Sequence, residues 1–235
     1  MSELALHIPN GIVDIPTSLA FGLVAVLAVG ACTVAARRGL DERLVPLAGL
    51  ATAFIFAAQM LNFPVAAGVS GHLLGGALAA ALLGPWLGVL CVTVVIAVQA
   101  LLFADGGVTA LGLNVVNMAV IATVAAYGVI ALALKLLPRT RVGLTVAVFA
   151  ASVVSVVAAS AGFVLQFAIG GEAPGQTLGE VAGAILSVHV LIGVGEGAIA
   201  AAAVVAVALA RPDLVHALKG ARLAEAPTAK ETARP

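Results

Sequence analysis

Seven apolar runs, at 17–36, 44–61, 70–84, 85–103, 113–136, 142–169 and 180–210, dominate this 235-residue chain. An α-helix needs about 20 apolar residues to cross a ~30 Å hydrocarbon core, and in lipid it satisfies its backbone polar groups internally. Composition agrees with that reading. Hydrophobic residues make up 63% of the chain, charged residues 9%, and the mean hydropathy is +1.21, where a soluble domain carries about 25% charged residues. The pattern predicts an all-α polytopic membrane helix bundle of about seven transmembrane helices, the third short and parted from the fourth only by Gly84-Pro85. The first sixteen residues hold no Lys or Arg, so no positively charged n-region precedes the first span and that helix is expected to be retained.

Cation placement sets the expected orientation. With the N-terminus outside and the C-terminus cytoplasmic, Arg37, Arg38, Arg43, Lys135, Arg139, Arg141, Arg211, Lys219, Arg222, Lys230 and Arg234 all lie inside, as the positive-inside rule asks. Glu3, Asp14, Asp105, Glu172 and Glu180 stay outside, so a cation approaching from there meets no fixed positive charge. Three parts are expected: an extracellular N-terminal metal-site loop at 1–16, a membrane domain at 17–210, and a disordered cytoplasmic tail at 211–235 whose Ala, Pro and mixed charges cannot build a core. Cys32 and Cys91 fall within spans toward the cytoplasmic side and read as small buried hydrophobes.

Four histidines sort themselves on this topology. His7 and His72 are expected at the outer surface, His189 in the outer half of the last span and His216 in the tail. Ser70 can cap a helix whose first turn holds His72, where the positive end of the helix dipole favours the neutral, metal-binding imidazole. A histidine donating to a loop carbonyl fits the same position. His7 lies before the turn signal Asn10-Gly11, in a segment too apolar for a solvated tail and therefore expected to pack into the mouth of the bundle. His189 and Glu196, seven residues apart, share a helix face about 10 Å apart along the axis, as an ion path or as hydrogen-bonded framework. Asp105 precedes two glycines, and Asn114 and Asn117 follow on one helix face; with Gln59, Asn62, Gln99 and Gln166 they form either a second layer that orients imidazoles or simple helix caps.

Four stretches in this order, LHIPNG, SGHLLGG, DGGVTALGLNVVNM and HVLIGVGEG, resemble the CbiM/NikM family, the cobalt- or nickel-binding membrane subunits of energy-coupling factor (ECF) transporters. The resemblance covers nearly the whole membrane region. It implies a seven-helix bundle with an extracellular N-terminus tucked into its centre, holding Co²⁺ or Ni²⁺ almost entirely by nitrogen. The ligands so implied are the imidazoles of His7 and His72, the amide nitrogen of His7, and Leu6, through its amine if it is the true start and otherwise through its backbone amide. Chelation by amine, amide and imidazole suits a square-planar Ni²⁺ and disfavours oxygen-seeking Mg²⁺ and Ca²⁺.

Two positions depart from the family pattern: five residues precede Leu6, where the family has its initiator Met, and Asn10 stands where the family usually has Asp. Initiation at position 6 would give a product beginning Met-His-Ile-Pro-Asn-Gly; a retained extension would leave an internal amide in place of the amine. The resemblance implies a substrate-capturing subunit in the cell (plasma) membrane of a bacterium or archaeon, linked to cobalamin biosynthesis, with Co²⁺ or Ni²⁺ as transported substrate and no organic cofactor. Because the chain lacks a GxxxxGK[ST] phosphate loop, ATP-driven import needs separate ECF ATPase subunits and a transmembrane coupling (T) subunit, with room for a small accessory membrane subunit. The lipid bilayer is its other partner, and nucleic acid has no place. An intramembrane metalloenzyme built on His189 and Glu196 lacks HExxH-like spacing, so the chain is read as no enzyme. The alternative is a family member whose altered metal site recognises another small solute.

Overall fold

The computed structural model describes residues 7–39, 41–61, 63–66, 69–172 and 175–219. Leu6, Asn62 and the tail beyond residue 219 lie outside them. Six helices form among the described residues: α1 (Ile15–Gly39), α2 (Leu44–Gln59), α3 (Gly76–Leu102), α4 (Leu111–Leu136), α5 (Arg141–Gly170) and α6 (Leu178–Ala210). Five are long and apolar enough to cross a bilayer, and α2 is shorter at 16 residues. The chain is therefore an all-α polytopic membrane bundle, and its observed ends fall within two or three residues of most of the expected runs. Side chains place those ends. Asp14 accepts from the Thr17 N–H at 2.7 Å to start α1, Thr140 caps α5, and Thr177 with Glu180 forms a capping box at α6. Arg37 and Arg38 in the last turn of α1 complement its dipole.

The region from 63 to 103 corrects the expectation. Residues Phe63–Ala66 (β1) and Val69–Gly71 (β2) pair as a short antiparallel hairpin, residues 72–75 are open chain, and helix begins only at Gly76. Ser70 opens no helix, and His72 is in no helical turn. The cause is Gly75, whose φ of 81° lies in the left-handed region and turns the chain into α3.

Within α3, Gly84 (φ 78°, ψ 178°) breaks the helix before Pro85. A Cβ on Gly88 would lie 3.1 Å from the Ala79 carbonyl carbon, whereas residues 79 and 88 of one straight helix are about 13 Å apart. The two arms therefore fold back on each other. The first arm is less than half the length of the second, so the loop at 72–75 enters the bundle well below the second arm's far end.

Packing follows small residues. Gly112 on α4 meets the Gly22 backbone of α1, and Gly193 on α6 faces Val153 of α5. Leu19, Leu23, Val26 and Leu27 of α1 are exposed, as lipid-facing residues are. The interior also holds a polar crosslink. Asn117, in the widened π-helical turn Val115–Ile121 of α4, donates to Gln166 Oε1 of α5 at 2.7 Å and accepts from its Nε2 at 3.0 Å. Both residues are fully buried.

The segment after α6 differs from a solvated tail as far as it is described. Residues Pro212–Leu214 and His216–Leu218 form two 3₁₀ turns, and Val215 and Leu218 are buried in the main core. Their apolar side chains supply the burial that the rest of the tail's composition lacks.

Removing one member of the amide pair strands the other in an apolar interior. Asn117→Ala is expected to cost about 1 kcal/mol of stability in detergent, read as a lower thermal unfolding midpoint. The Asn117→Leu/Gln166→Leu double variant, which leaves no orphaned group, is expected to lose less.

Candidate metal centre

His7 and His72, 65 residues apart in the chain, meet with ring centroids 4.6 Å apart and planes at 76°. Neither is at the surface where sequence placed it: both are buried, at 4% and 7% exposure. Burial has a structural source in residues 8–14. This segment is held on one side by Gly107 N–H donating to the Ile8 carbonyl at 2.8 Å. On the other side, the Val13–Gly171 bridge and the Asp14 N–H to Gly170 carbonyl bond, at 2.7 Å, tie it to the α5–α6 connection.

Asn114 fixes the residue after the first histidine from both directions. Its Oδ1 accepts from the Ile8 N–H at 2.8 Å, and its Nδ2 donates to the Ile8 carbonyl at 3.2 Å. Asn10 Oδ1 accepts from the Thr109 backbone N–H at 3.0 Å and hydroxyl at 2.7 Å, which sews the segment to the loop before α4.

An equivalent clamp holds the loop after the second histidine. Leu74 donates its N–H to Glu196 Oε2 of α6 at 2.6 Å, and its carbonyl accepts from Gln59 Nε2 of α2 at 2.6 Å. Glu196 Oε1 also accepts from the Gly75 N–H at 3.2 Å. Glu196 lies eighteen residues into α6, about 27 Å along its axis, so the loop sits deep in the bundle.

Hydrogen bonding sets the imidazole tautomers. His72 Nδ1 is 2.9 Å from the Leu73 carbonyl and His7 Nδ1 is 3.3 Å from the Asp105 carbonyl. A carbonyl only accepts, so each Nδ1 carries the proton and each Nε2 presents a lone pair. Both Nε2 atoms are buried and have no partner. Burial lowers the His7 pKa, with the Asp105 carboxylate, 3.6 Å away, and its carbonyl opposing. Two imidazoles this close do not both charge, so the neutral, metal-binding form is favoured. Among the described residues, no three or more His, Cys, Asp and Glu side chains cluster to hold a metal.

Of the other residues singled out from sequence, His189 donates its Nδ1–H to the Ile185 carbonyl one turn back at 2.6 Å. Asn117 pairs with Gln166, so Asn114 and Asn117 serve different partners despite their spacing. Glu196 spends both oxygens on the loop after His72. Sequence reasoning missed Thr109 and the backbone of Ile8, Leu73 and Leu74. Nothing in a one-dimensional pattern marks a peptide group as the partner of a side chain roughly a hundred residues away.

The family profile described as the cobalt uptake substrate-specific transmembrane region matches residues 7–214. The chain is 31% identical over 225 residues to a cobalt transport protein, CbiM, of Sorangium cellulosum, covering 93% of this chain and 98% of that one. It is 38% identical over 128 residues to a fused nickel transport protein, NikMN, of Rhodobacter capsulatus, covering 54% of this chain and 37% of that one. A crystal structure of a transition metal transporter superposes with a TM-score of 0.74 at 29% identity, covering 87% of this chain and 93% of that one. The paired, neutral histidines thus stand in a fold built for transport and not for catalysis, and the chain belongs to the CbiM/NikM family of cobalt and nickel transport membrane proteins.

Proposed function

We propose that this chain captures Co²⁺ or Ni²⁺ at the outer side of the plasma membrane and passes it inward as the substrate-binding subunit of an ECF-type importer. The observation that carries the reading is the buried meeting of His7 and His72, with the Nε2 of His72 unpartnered. The ligand set is the two imidazoles, the amide of His7 and the backbone nitrogen of residue 6. Chelation by the His7 amide and its own ring closes a six-membered ring through Nδ1. Capture on this route exchanges the Asp105 hydrogen bond for a metal bond, while His72 offers Nε2. Asn10, Asp105 and Asn114 hold the first histidine; Asn117, His189 and Glu196 stand in the layer beyond the ligands or on the ion's path.

In this reading the N-terminus is outside and the C-terminus cytoplasmic, and the chain makes seven passes, the third by the open chain at 72–75 together with the short first arm of α3. Residues 1–16 form the metal-site loop, 17–210 the membrane domain and 211–235 the cytoplasmic end. The coupling subunit and ATPase subunits of the importer supply energy, which this chain has no phosphate loop to harvest.

Native mass spectrometry after equilibration with a Ni²⁺/Co²⁺ mixture is expected to show one ion per chain, together with the mass of its N-terminus. His72→Ala is expected to lose the ion, and an unchanged stoichiometry would remove His72 from the site. Asn114→Ala, which frees the Ile8 peptide, is expected to weaken binding about 10–100-fold with the chain still folded, read by titration of the purified protein. Topology is tested by labelling intact cells with an impermeant maleimide. Val108→Cys, at an exposed position, should react from outside and Lys219→Cys should not; the reverse pattern overturns the orientation.

A further inference from the structure

Glu196 does more than clamp the loop before α3. Its Oε2 accepts from the Leu74 N–H at 2.6 Å, and the carbonyl of that same peptide unit, belonging to Leu73, accepts from His72 Nδ1–H at 2.9 Å. Carboxylate, peptide and imidazole thus form one unbroken line of hydrogen bonds that ends at the unpartnered Nε2 of His72. Every donor in the line points toward the carboxylate. An anion accepting from an amide N–H makes the carbonyl on the other side of that amide a stronger acceptor, and successive bonds polarise one another. The result is an imidazole fixed as the Nδ1–H tautomer and richer in electron density at Nε2. A carboxylate in direct contact with a metal-binding histidine acts in the same way; here one peptide group is interposed.

The charge itself argues against a purely structural cap. Glu196 is 1% exposed and has no ion-pair partner among the described residues. The cavity beside it is lined by Phe54, Ile55, Leu78 and Ile199, with no cation. A neutral Gln or Asn would satisfy a backbone N–H at far less desolvation cost. A carboxyl group with no cation beside it, joined to the His72 imidazole through one peptide group, is complementary to an arriving dication.

We infer that Glu196 is a positioning residue for ion capture, setting the tautomer and donor strength of His72 through the Leu73–Leu74 peptide. The inference rests on the reading of His72 as a metal ligand. The test uses the purified full-length protein in detergent with Ni²⁺ or Co²⁺ alone as probe, comparing Glu196→Gln, Glu196→Asp and His72→Ala. Glu196→Gln is expected to fold, to lose about 10–100-fold in affinity, and to shift the visible ligand-field absorption of the bound ion to lower energy. Glu196→Asp, which keeps the charge, should recover part of both. If His72→Ala abolishes binding while Glu196→Gln keeps wild-type affinity and spectrum, the relay is wrong and the ligand assignment stands. If His72→Ala binds as the wild type does, the ligand assignment itself falls. Weaker binding with an unshifted spectrum would assign Glu196 to the framework and overturn the inference. Should Glu196→Gln fail to fold, ¹⁵N resonances of histidine-labelled, metal-free wild-type protein decide: His72 protonated at Nδ1 supports the relay, and protonation at Nε2 overturns it.

Discussion

A peptide group that leaves the helix inside a membrane bundle must find its partner there, because no water is at hand to supply one. The chain does this twice, at Ile8 and at Leu74, and each lies one or two residues beyond a histidine. Ile8 is satisfied by Asn114 of α4 and Gly107. Leu74 is satisfied by Glu196 of α6 and Gln59 of α2. These side chains come from three helices, so the clamps exist only once the bundle has assembled. Folding and construction of the binding site are one event. The same clamps explain why Gln59, Asn114 and Glu196 are almost wholly buried despite their polarity.

Much of this was legible in sequence, because the bilayer imposes length and hydrophobicity on every span. The ends of α4, α5 and α6 lie close to those read from the apolar runs, and the break at Gly84-Pro85 was visible as a Gly-Pro pair. Ordered motifs identified the histidines as a set. Sequence failed where the chain stops being periodic. Ser70 looks like a helix cap by residue type, but the left-handed backbone at Gly75 delays the helix to Gly76. His72 was placed at the surface because it follows a loop, yet a short first arm in α3 lets that loop descend into the bundle. The spacing of Asn114 and Asn117 suggested a shared task, and a widened turn between them sends one to Ile8 and the other to Gln166.

The chemistry offered by the buried pair is narrow. Two neutral imidazoles and nearby backbone nitrogen favour borderline transition metals, whereas Mg²⁺ and Ca²⁺ seek several oxygens in a sphere this site does not provide. The Asp105 carboxylate, over a third exposed and 3.6 Å from His7 Nδ1, is the ring's partner before an ion arrives. Dehydrating the ion is costly, and the preset lone pair at His72 Nε2 offsets part of that cost. At His72, selectivity and pre-organisation therefore have a common origin in the hydrogen bond that locks Nδ1.

Release has to undo what the clamps maintain, and the fold limits where that can begin. The first arm of α3 starts at Gly76, immediately after the His72 loop. The second arm ends beside Asp105, whose carbonyl holds His7 and whose N–H is bonded to the Gln99 carbonyl at 3.0 Å. Each histidine is thus tied to one arm of the same folded-back helix, and the arms join at Gly84. Rotation at that apex would draw the two imidazoles apart without unfolding either arm, a hinge displacement of the kind that packed helices permit. The apex is not free: a Cβ on Gly84 would come within 2.6–2.8 Å of three ring atoms of His216, carried by the last described turn of the chain. Whatever moves that turn acts on the joint between the two arms that carry the histidine contacts.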